Sequence, residues 1–178
     1  MSDIKIVKKG ITNMDVDCVV NAANEGLWAG GGVCGAIFNA AGMSELKKAC
    51  NKLGGCHTGM AVITPGFKLK AKYIIHAVGP MWKDGRHKEP QLLYSAYKES
   101  LNLAAENSCR SIAFPLISAG IYGYPIDKAW RKALQACKDW INNHPDTEMT
   151  IYFAIIDDNV LELGKSTMLD MGHRSQGI

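Results

Sequence analysis

Several things are missing from this 178-residue chain, and each absence excludes a class of protein. No apolar run approaches the ~20 residues that a membrane-spanning helix needs. The first residues, Met1-Ser2-Asp3-Ile4-Lys5, contain no long apolar stretch of the kind a secretory signal requires. The six cysteines are Cys18, Cys34, Cys50, Cys56, Cys109 and Cys137, and no two form a C-x-x-C pair. That spacing argues against a zinc ribbon and against a thioredoxin-type motif. The cysteines read instead as small core side chains of a reduced, cytoplasmic protein. Cys50, Cys56 and His57 lie near one another in sequence, but no fourth ligand accompanies them, so no metal is expected. Nor is there a strong excess of charge of one sign: 21% of residues are charged, an ordinary share, and the net charge is +3. That suits an anionic ligand but is too weak to predict a nucleic-acid partner.

What is present is enough apolar sequence, 47%, to build one core. Short apolar runs alternate with helical patterns. Ile4–Val7 and Asp17–Ala22 read as strands, as do Gly59–Thr64, Tyr73–Val78, Ser111–Phe114 and Met149–Ile156. Helices are predicted over Val33–Ala41, Ser44–Leu53 (closed by Gly54-Gly55), Pro90–Asn107, Pro125–Asn143 and Asp157–Leu169, with Gly164 a weak point in the last. In Pro125–Asn143 the residues Ile126, Ala129, Trp130, Ala133, Leu134, Cys137, Trp140 and Ile141 share one apolar stripe. Both of its tryptophans are therefore expected in the core. Strands alternating with helices predict an α/β domain over residues 1–170, with helices on both faces of a mixed sheet and a polar, flexible tail at 171–178. Ligands bind such sheets at the carboxyl ends of the strands.

Two loops follow predicted strands and open predicted helices. The first runs Asn21-Ala-Ala-Asn24-Glu-Gly26-Leu-Trp-Ala-Gly30-Gly31-Gly32-Val33-Cys34-Gly35. Three adjacent glycines between a buried strand and a helix cost backbone entropy, which points to a ligand that must approach the backbone. Consecutive N–H groups at a helix start favour an anion. The loop is read as neither a P-loop, since no Gly-Lys-[Ser/Thr] is present, nor a Rossmann G-x-G-x-x-G fingerprint. The second runs Phe114-Pro-Leu-Ile-Ser118-Ala119-Gly120-Ile121-Tyr122-Gly123-Tyr124-Pro125. Ser118 and the amides through Tyr122 suit another part of the same anion, with Tyr122 shielding it from water.

Together the loops resemble those of the macrodomain family over nearly the full chain. The matching runs are Asn21-Ala-Ala-Asn24, Gly30-Gly31-Gly32-Val33, Gly35-Ala36-Ile37, Ala40-Ala41-Gly42 and Thr58-Gly59. Ala61-Val62-Ile63-Thr64, His76-Ala77-Val78-Gly79-Pro80 and the run Ser118 to Pro125 complete the set. The chain is most similar to the bacterial MacroD-type group of O-acetyl-ADP-ribose deacetylases and ADP-ribosyl hydrolases. The resemblance implies a three-layer α/β/α fold; a monomer is expected, with no cofactor. It also implies a cleft for ADP-ribose or an ADP-ribosylated molecule or protein. By that likeness Ser118, Ala119, Gly120, Ile121 and Tyr122 hold the diphosphate. Asn21, Ala22, Asn24, Gly30, Gly31, Gly32 and Val33 surround the distal ribose, and Ile11 and Ile156 lie near adenine. Asn24 is the retained catalytic position, fixing the sugar for attack.

The chain departs from the pattern at four places. Gly10 stands where the family has an Asp that accepts from the adenine amino group. Cys34 stands at the catalytic-loop Asp, and a thiol with a pKa of about 8.5 is mostly neutral near pH 7. A packed side chain is the first reading of Cys34, ahead of a general base. Phe38-Asn39 replaces His-Arg, and Ile156 replaces a stacking aromatic. His76 is expected as a satisfied core histidine. The implied activity is hydrolysis of ADP-ribosyl esters. The substitutions leave two alternatives: a binding module without chemistry, or a domain turned to another nucleotide or RNA. The basic run Lys68, Lys70 and Lys72 bears on the last.

Overall fold

The computed structural model describes the backbone of residues 2–176 and the side chains of residues 2–172. Six strands form one sheet: β1 (Asp3–Val7), β2 (Cys18–Ala22), β3 (Ala61–Pro65), β4 (Tyr73–Ala77), β5 (Ser111–Phe114) and β6 (Thr150–Ala154). Their spatial order is β1-β6-β5-β2-β4-β3. All neighbours are parallel except β3, which pairs antiparallel to β4 at one edge. The sheet is therefore mixed, as expected.

Alternation along the strands builds two separate cores. In β2, Cys18 and Val20 pack into one and Val19 into the other. In β5, Ile112 and Phe114 face the first and Ala113 the second. Helices α3 (Glu89–Glu106), α4 (Ile126–Asn143) and α5 (Asp158–Gln176) cover the first face. Helices α1 (Gly32–Ala41) and α2 (Met43–Leu53) cover the second, with a single 3-10 turn at Ile11–Asn13. This is the three-layer arrangement.

Local chemistry sets the helix ends. Gly42, at φ 110°, closes α1 and opens α2. Gly54, at φ 79°, ends α2 in the left-handed conformation that glycine adopts without strain. Helix α4 buries Ala129, Trp130, Ala133, Leu134, Cys137 and Trp140 as its periodicity predicts. The indole N–H groups of Trp130 and Trp140 donate to Val160 O (3.0 Å) and Asn102 Oδ1 (2.9 Å). Ile126 departs from the expected stripe: it is exposed at the helix start.

Helix α5 runs past the expected Leu169 to Gln176, and residues 177–178 of the expected tail lie outside the described residues. Gly164 is no interruption of that helix. A Cβ there would overlap the Trp130 ring, so the glycine lets α5 cross α4 closely. No helix among the described residues is long and apolar enough to cross a membrane.

Candidate ligand-binding cleft

A cleft of about 430 Å³ opens over the carboxyl ends of β2, β5 and β6. That volume is ordinary for a small-molecule site. One wall is the first glycine loop, from Ala22 to Asn24 and Gly30 to Cys34. The other is the second loop, Pro115 to Tyr122. The end of β6 and the start of α5 supply Ala154 to Asp157 and Val160.

Part of the backbone of both walls is unspent. In the second loop, Gly123 N–H donates to Gly120 O (3.0 Å) and Tyr124 N–H to Ser118 O (2.9 Å). Those bonds fold the loop so that the N–H groups of Gly120, Ile121 and Tyr122 have no acceptor among the described residues. Helix α1 starts from Gly31, which has no side chain to cap it, and the N–H groups of Gly32, Val33 and Cys34 are likewise unbonded. Two rows of donors therefore line one cleft, one of them at a helix N-terminus. Such an arrangement favours a ligand with negative charge spread over several oxygens.

Ser118 adds a buried hydroxyl with no partner among the described residues and holds φ 68°, unusual for a residue with a Cβ. The loops approach each other through Ile121, whose Cδ1 lies 3.7 Å from where a Cβ on Gly31 would be. Gly35 is needed for a similar reason: a Cβ there would sit 2.7 Å from Gly30 O. The run Gly30 to Gly35 in fact has G-x-G-x-x-G spacing, and its last glycine serves close backbone approach.

Asn24 and Cys34 are held by the first loop itself. Trp28 N–H donates to Asn24 Oδ1 (3.1 Å), and Asn24 Nδ2 donates to Trp28 O (3.0 Å). The Cys34 thiol lies 3.8 Å from Trp28 O and accepts from Gly30 N–H at 3.4 Å. Cys34 is buried yet still borders the cleft.

Most of the anticipated residues line the cleft: Ala22, Asn24, Gly30, Gly31, Gly32, Val33, Cys34, Ser118, Ala119, Gly120, Ile121, Tyr122 and Ile156. Ile156 is exposed at its rim. Ile11 and Asn21 are not among the lining residues. Ile11 packs into the core beneath α1. Asn21 points to the same layer, where its Nδ2 lies 3.0 Å from Nδ1 of His76. The other ring nitrogen of His76 meets Thr64 Oγ1, also at 3.0 Å. Burial lowers the His76 pKa to about 4, so this core histidine is neutral at pH 7. Cys50 faces His76 rather than Cys56 and His57. Lys68, Lys70 and Lys72 are exposed on the loop entering β4, at the end of that strand away from the cleft.

Among the lining residues that the structure adds are Gly79, Ile126, Asp157 and Val160. Ile126 and Val160 sit one turn or less from the starts of α4 and α5, a position that the rule about strand carboxyl ends could have flagged. Gly79 lies in the family-like run His76–Pro80, but the sequence assigned it no place in the cleft. A Cβ there would overlap Ser118 Oγ and approach Ile117 Cγ2 at 2.5 Å, which ties the end of β4 to the second loop.

A second cleft, of about 460 Å³, adjoins the first and shares Asn24, Gly79 and Tyr122 with it. It contains Glu25, Trp28, Lys83, His87 and Glu89. Burial would raise the Glu89 pKa. Its carboxylate nevertheless accepts the N–H groups of Lys83, Asp84, Gly85 and His87, and these hold it down to about 2. Glu89 also converges with Asp84 and His87.

The macro domain family model matches residues 20–133. A macro domain-containing protein of Lactiplantibacillus plantarum is 50% identical over 158 residues, spanning 89% of this chain and 91% of the relative. The solved Oceanobacillus iheyensis macrodomain with ADP is 34% identical, with a TM-score of 0.90 over 95% of this chain and 91% of that one. A Trypanosoma brucei macrodomain in complex with ADP-ribose is 33% identical, with a TM-score of 0.84 over 93% of this chain and 68% of that one. This chain belongs to the macro domain family.

Proposed function

We propose that the cleft binds ADP-ribose, free or attached to a small molecule or protein, and that the protein hydrolyses esters of its distal ribose. The unbonded amides of both loops, facing one cleft, carry this reading. The diphosphate lies over Ser118 to Tyr122, where the Ser118 hydroxyl gains a partner. The distal ribose lies against Gly30 to Cys34. The Oδ1 and Nδ2 of Asn24 each retain hydrogen-bonding capacity beyond their bonds to Trp28, so Asn24 can hold the ribose hydroxyls as well. Solved relatives in complex with ADP and ADP-ribose support a ligand of this class.

At the adenine end the surface is mainly apolar: Ile126, Ile156 and Val160. Gly10 has no side chain to accept from an adenine amino group, and the lost bond weakens base selectivity by about 1 kcal/mol. Catalysis in this reading rests on fixing the ester and a water, which alone supplies a large part of a rate enhancement. The protein acts as a cytoplasmic monomer, which sedimentation at assay concentration checks.

Calorimetric titration with ADP-ribose, followed by an O-acetyl-ADP-ribose time course on the same sample, tests both halves. Binding with release of acetate supports the full reading. Binding without product supports a module that recognises ADP-ribose without turnover, the reading favoured by the engaged Cys34 thiol. Absence of binding removes both.

A further inference from the structure

Ester hydrolysis near neutral pH is helped by a group that takes a proton from water. In the ligand cleft, Cys34 has its sulfur in the Trp28–Gly30 turn. Asp157 is the carboxylate there, and its Oδ1 accepts the N–H groups of Asn159 (2.9 Å) and Val160 (3.0 Å). It also lies beyond β6, two strands from Asn24. In the adjoining cleft, the four N–H donors on Glu89 keep it ionised and unable to take up a proton in that range.

Glu25 differs from all of these. It follows Asn24 directly, is exposed, and lines the second cleft where that cleft shares Asn24 and Tyr122 with the first. Its Oε2 accepts both Thr58 N–H and Thr58 Oγ1–H at 3.1 Å. Its backbone oxygen accepts Cys56 N–H at 2.9 Å. The carboxylate is thus fixed at one oxygen, while Oε1 has no hydrogen bond among the described residues. Its charge reaches the shared wall: burial first, and then Glu25 and Cys34, raise the Tyr122 phenol pKa.

We infer that Glu25 is the proton acceptor of the hydrolysis, acting from the second cleft in place of the missing loop aspartate. The inference rests on the ester-hydrolase reading above. Water oxygen bonds to the ester carbonyl carbon while one water proton moves to Glu25. The bond between that carbon and the ribose oxygen then breaks. The ribose oxygen takes the proton from Glu25, leaving a free acid, a ribose hydroxyl and the original carboxylate. The second cleft holds the acyl group during this step.

The test compares wild type with Glu25→Gln and Glu25→Asp on O-acetyl-ADP-ribose, alongside ADP-ribose calorimetry. Gln still offers an oxygen to Thr58, so the loop stays anchored. The expected result for Glu25→Gln is a fall in kcat of roughly 100-fold or more. Its ADP-ribose Kd should match wild type. Glu25→Asp, which keeps a carboxylate, should recover part of kcat. Wild-type kcat in Glu25→Gln overturns the assignment and leaves the hydrolase reading standing. A loss confined to Kd and KM also overturns it, since that marks a positioning residue. A wild-type protein that binds ADP-ribose without turnover overturns the hydrolase reading and this assignment together.

Discussion

Asn24 and Trp28 grip each other twice, side-chain amide to backbone N–H at 3.1 Å and to backbone C=O at 3.0 Å. The closed ring they form precedes the three glycines and fixes where that run starts. Asn24 therefore shapes the loop that it also serves. Trp28 is exposed because its backbone, not its ring, is the anchored part, and the ring lies over Gly26, where a Cβ would overlap it.

Replacing Asn24 with Ala removes both bonds. At about 1 kcal/mol net for each, stability falls by roughly 2 kcal/mol. For a domain of this size that lowers Tm by roughly 4–8 °C. ADP-ribose affinity should weaken with the loosened loop, and ester turnover should fall further. Asn24→Asp keeps the acceptor for Trp28 N–H and should lose less stability. Scanning calorimetry and an ester assay check the pair, and an unchanged Tm in Asn24→Ala would show that the ring contributes nothing.

Gly120 separates binding from folding. A Cβ at this position meets nothing within 4 Å, and its φ is not in the left-handed region. Gly120→Ala should therefore fold and bind nearly as wild type does. Gly120→Glu should fold equally well but place a carboxylate beside the diphosphate. We expect at least ~100-fold weaker ADP-ribose binding, because like charges held close in a partly desolvated site repel by several kcal/mol. Equal affinity in the two variants would place the diphosphate elsewhere.

Gly79→Ala tests the tie between β4 and the second loop. Its methyl group would collide with Ser118 Oγ and Ile117. Overpacking of this kind costs about 1–3 kcal/mol. Urea unfolding should show that loss, and calorimetry should show weaker ADP-ribose binding, because Ser118 must move.

His76 predicts an acid sensitivity. Burial lowers its pKa from 6.5 to about 4, so the folded protein holds it neutral while the unfolded chain protonates it near pH 6.5. Between those values the unfolded state binds more protons, and stability rises with pH. The contribution is complete above pH 6.5 and is lost as pH falls toward 4, by about 3 kcal/mol across the window. Urea unfolding at pH 7 and pH 4.5 should show most of this loss in wild type. His76→Gln, which cannot titrate, should show a shallower slope.

The strands and helices were legible because each carries its own burial pattern. Alternation in Val19, Val20, Ile112 and Ala113 and the stripe along α4 are local properties of the chain. The two glycine loops were legible for a similar reason, since backbone freedom belongs to the residue itself. The family resemblance in those loops then indicated most of the cleft lining.

Other features depended on partners far away in sequence. Asn21 looked like a cleft residue because it begins the loop motif. It faces the α1–α2 layer because β2 pairs with β4 in a register that sets it beside His76. Gly164 looked like a flaw in a helix until Trp130, on α4, was found against it. Ile126 belonged to a core stripe until the start of α4 proved to border the cleft.

By itself, then, the sequence determined the elements, the two donor-rich loops and the likeness to one family, since these follow from periodicity and local backbone freedom. Only the tertiary structure decided that Gly79 holds the second loop, that Asn21 serves His76 and that Glu25 is anchored on Thr58 beside Asn24. Those outcomes depend on which distant residues the sheet register and helix crossings bring within hydrogen-bonding or contact distance.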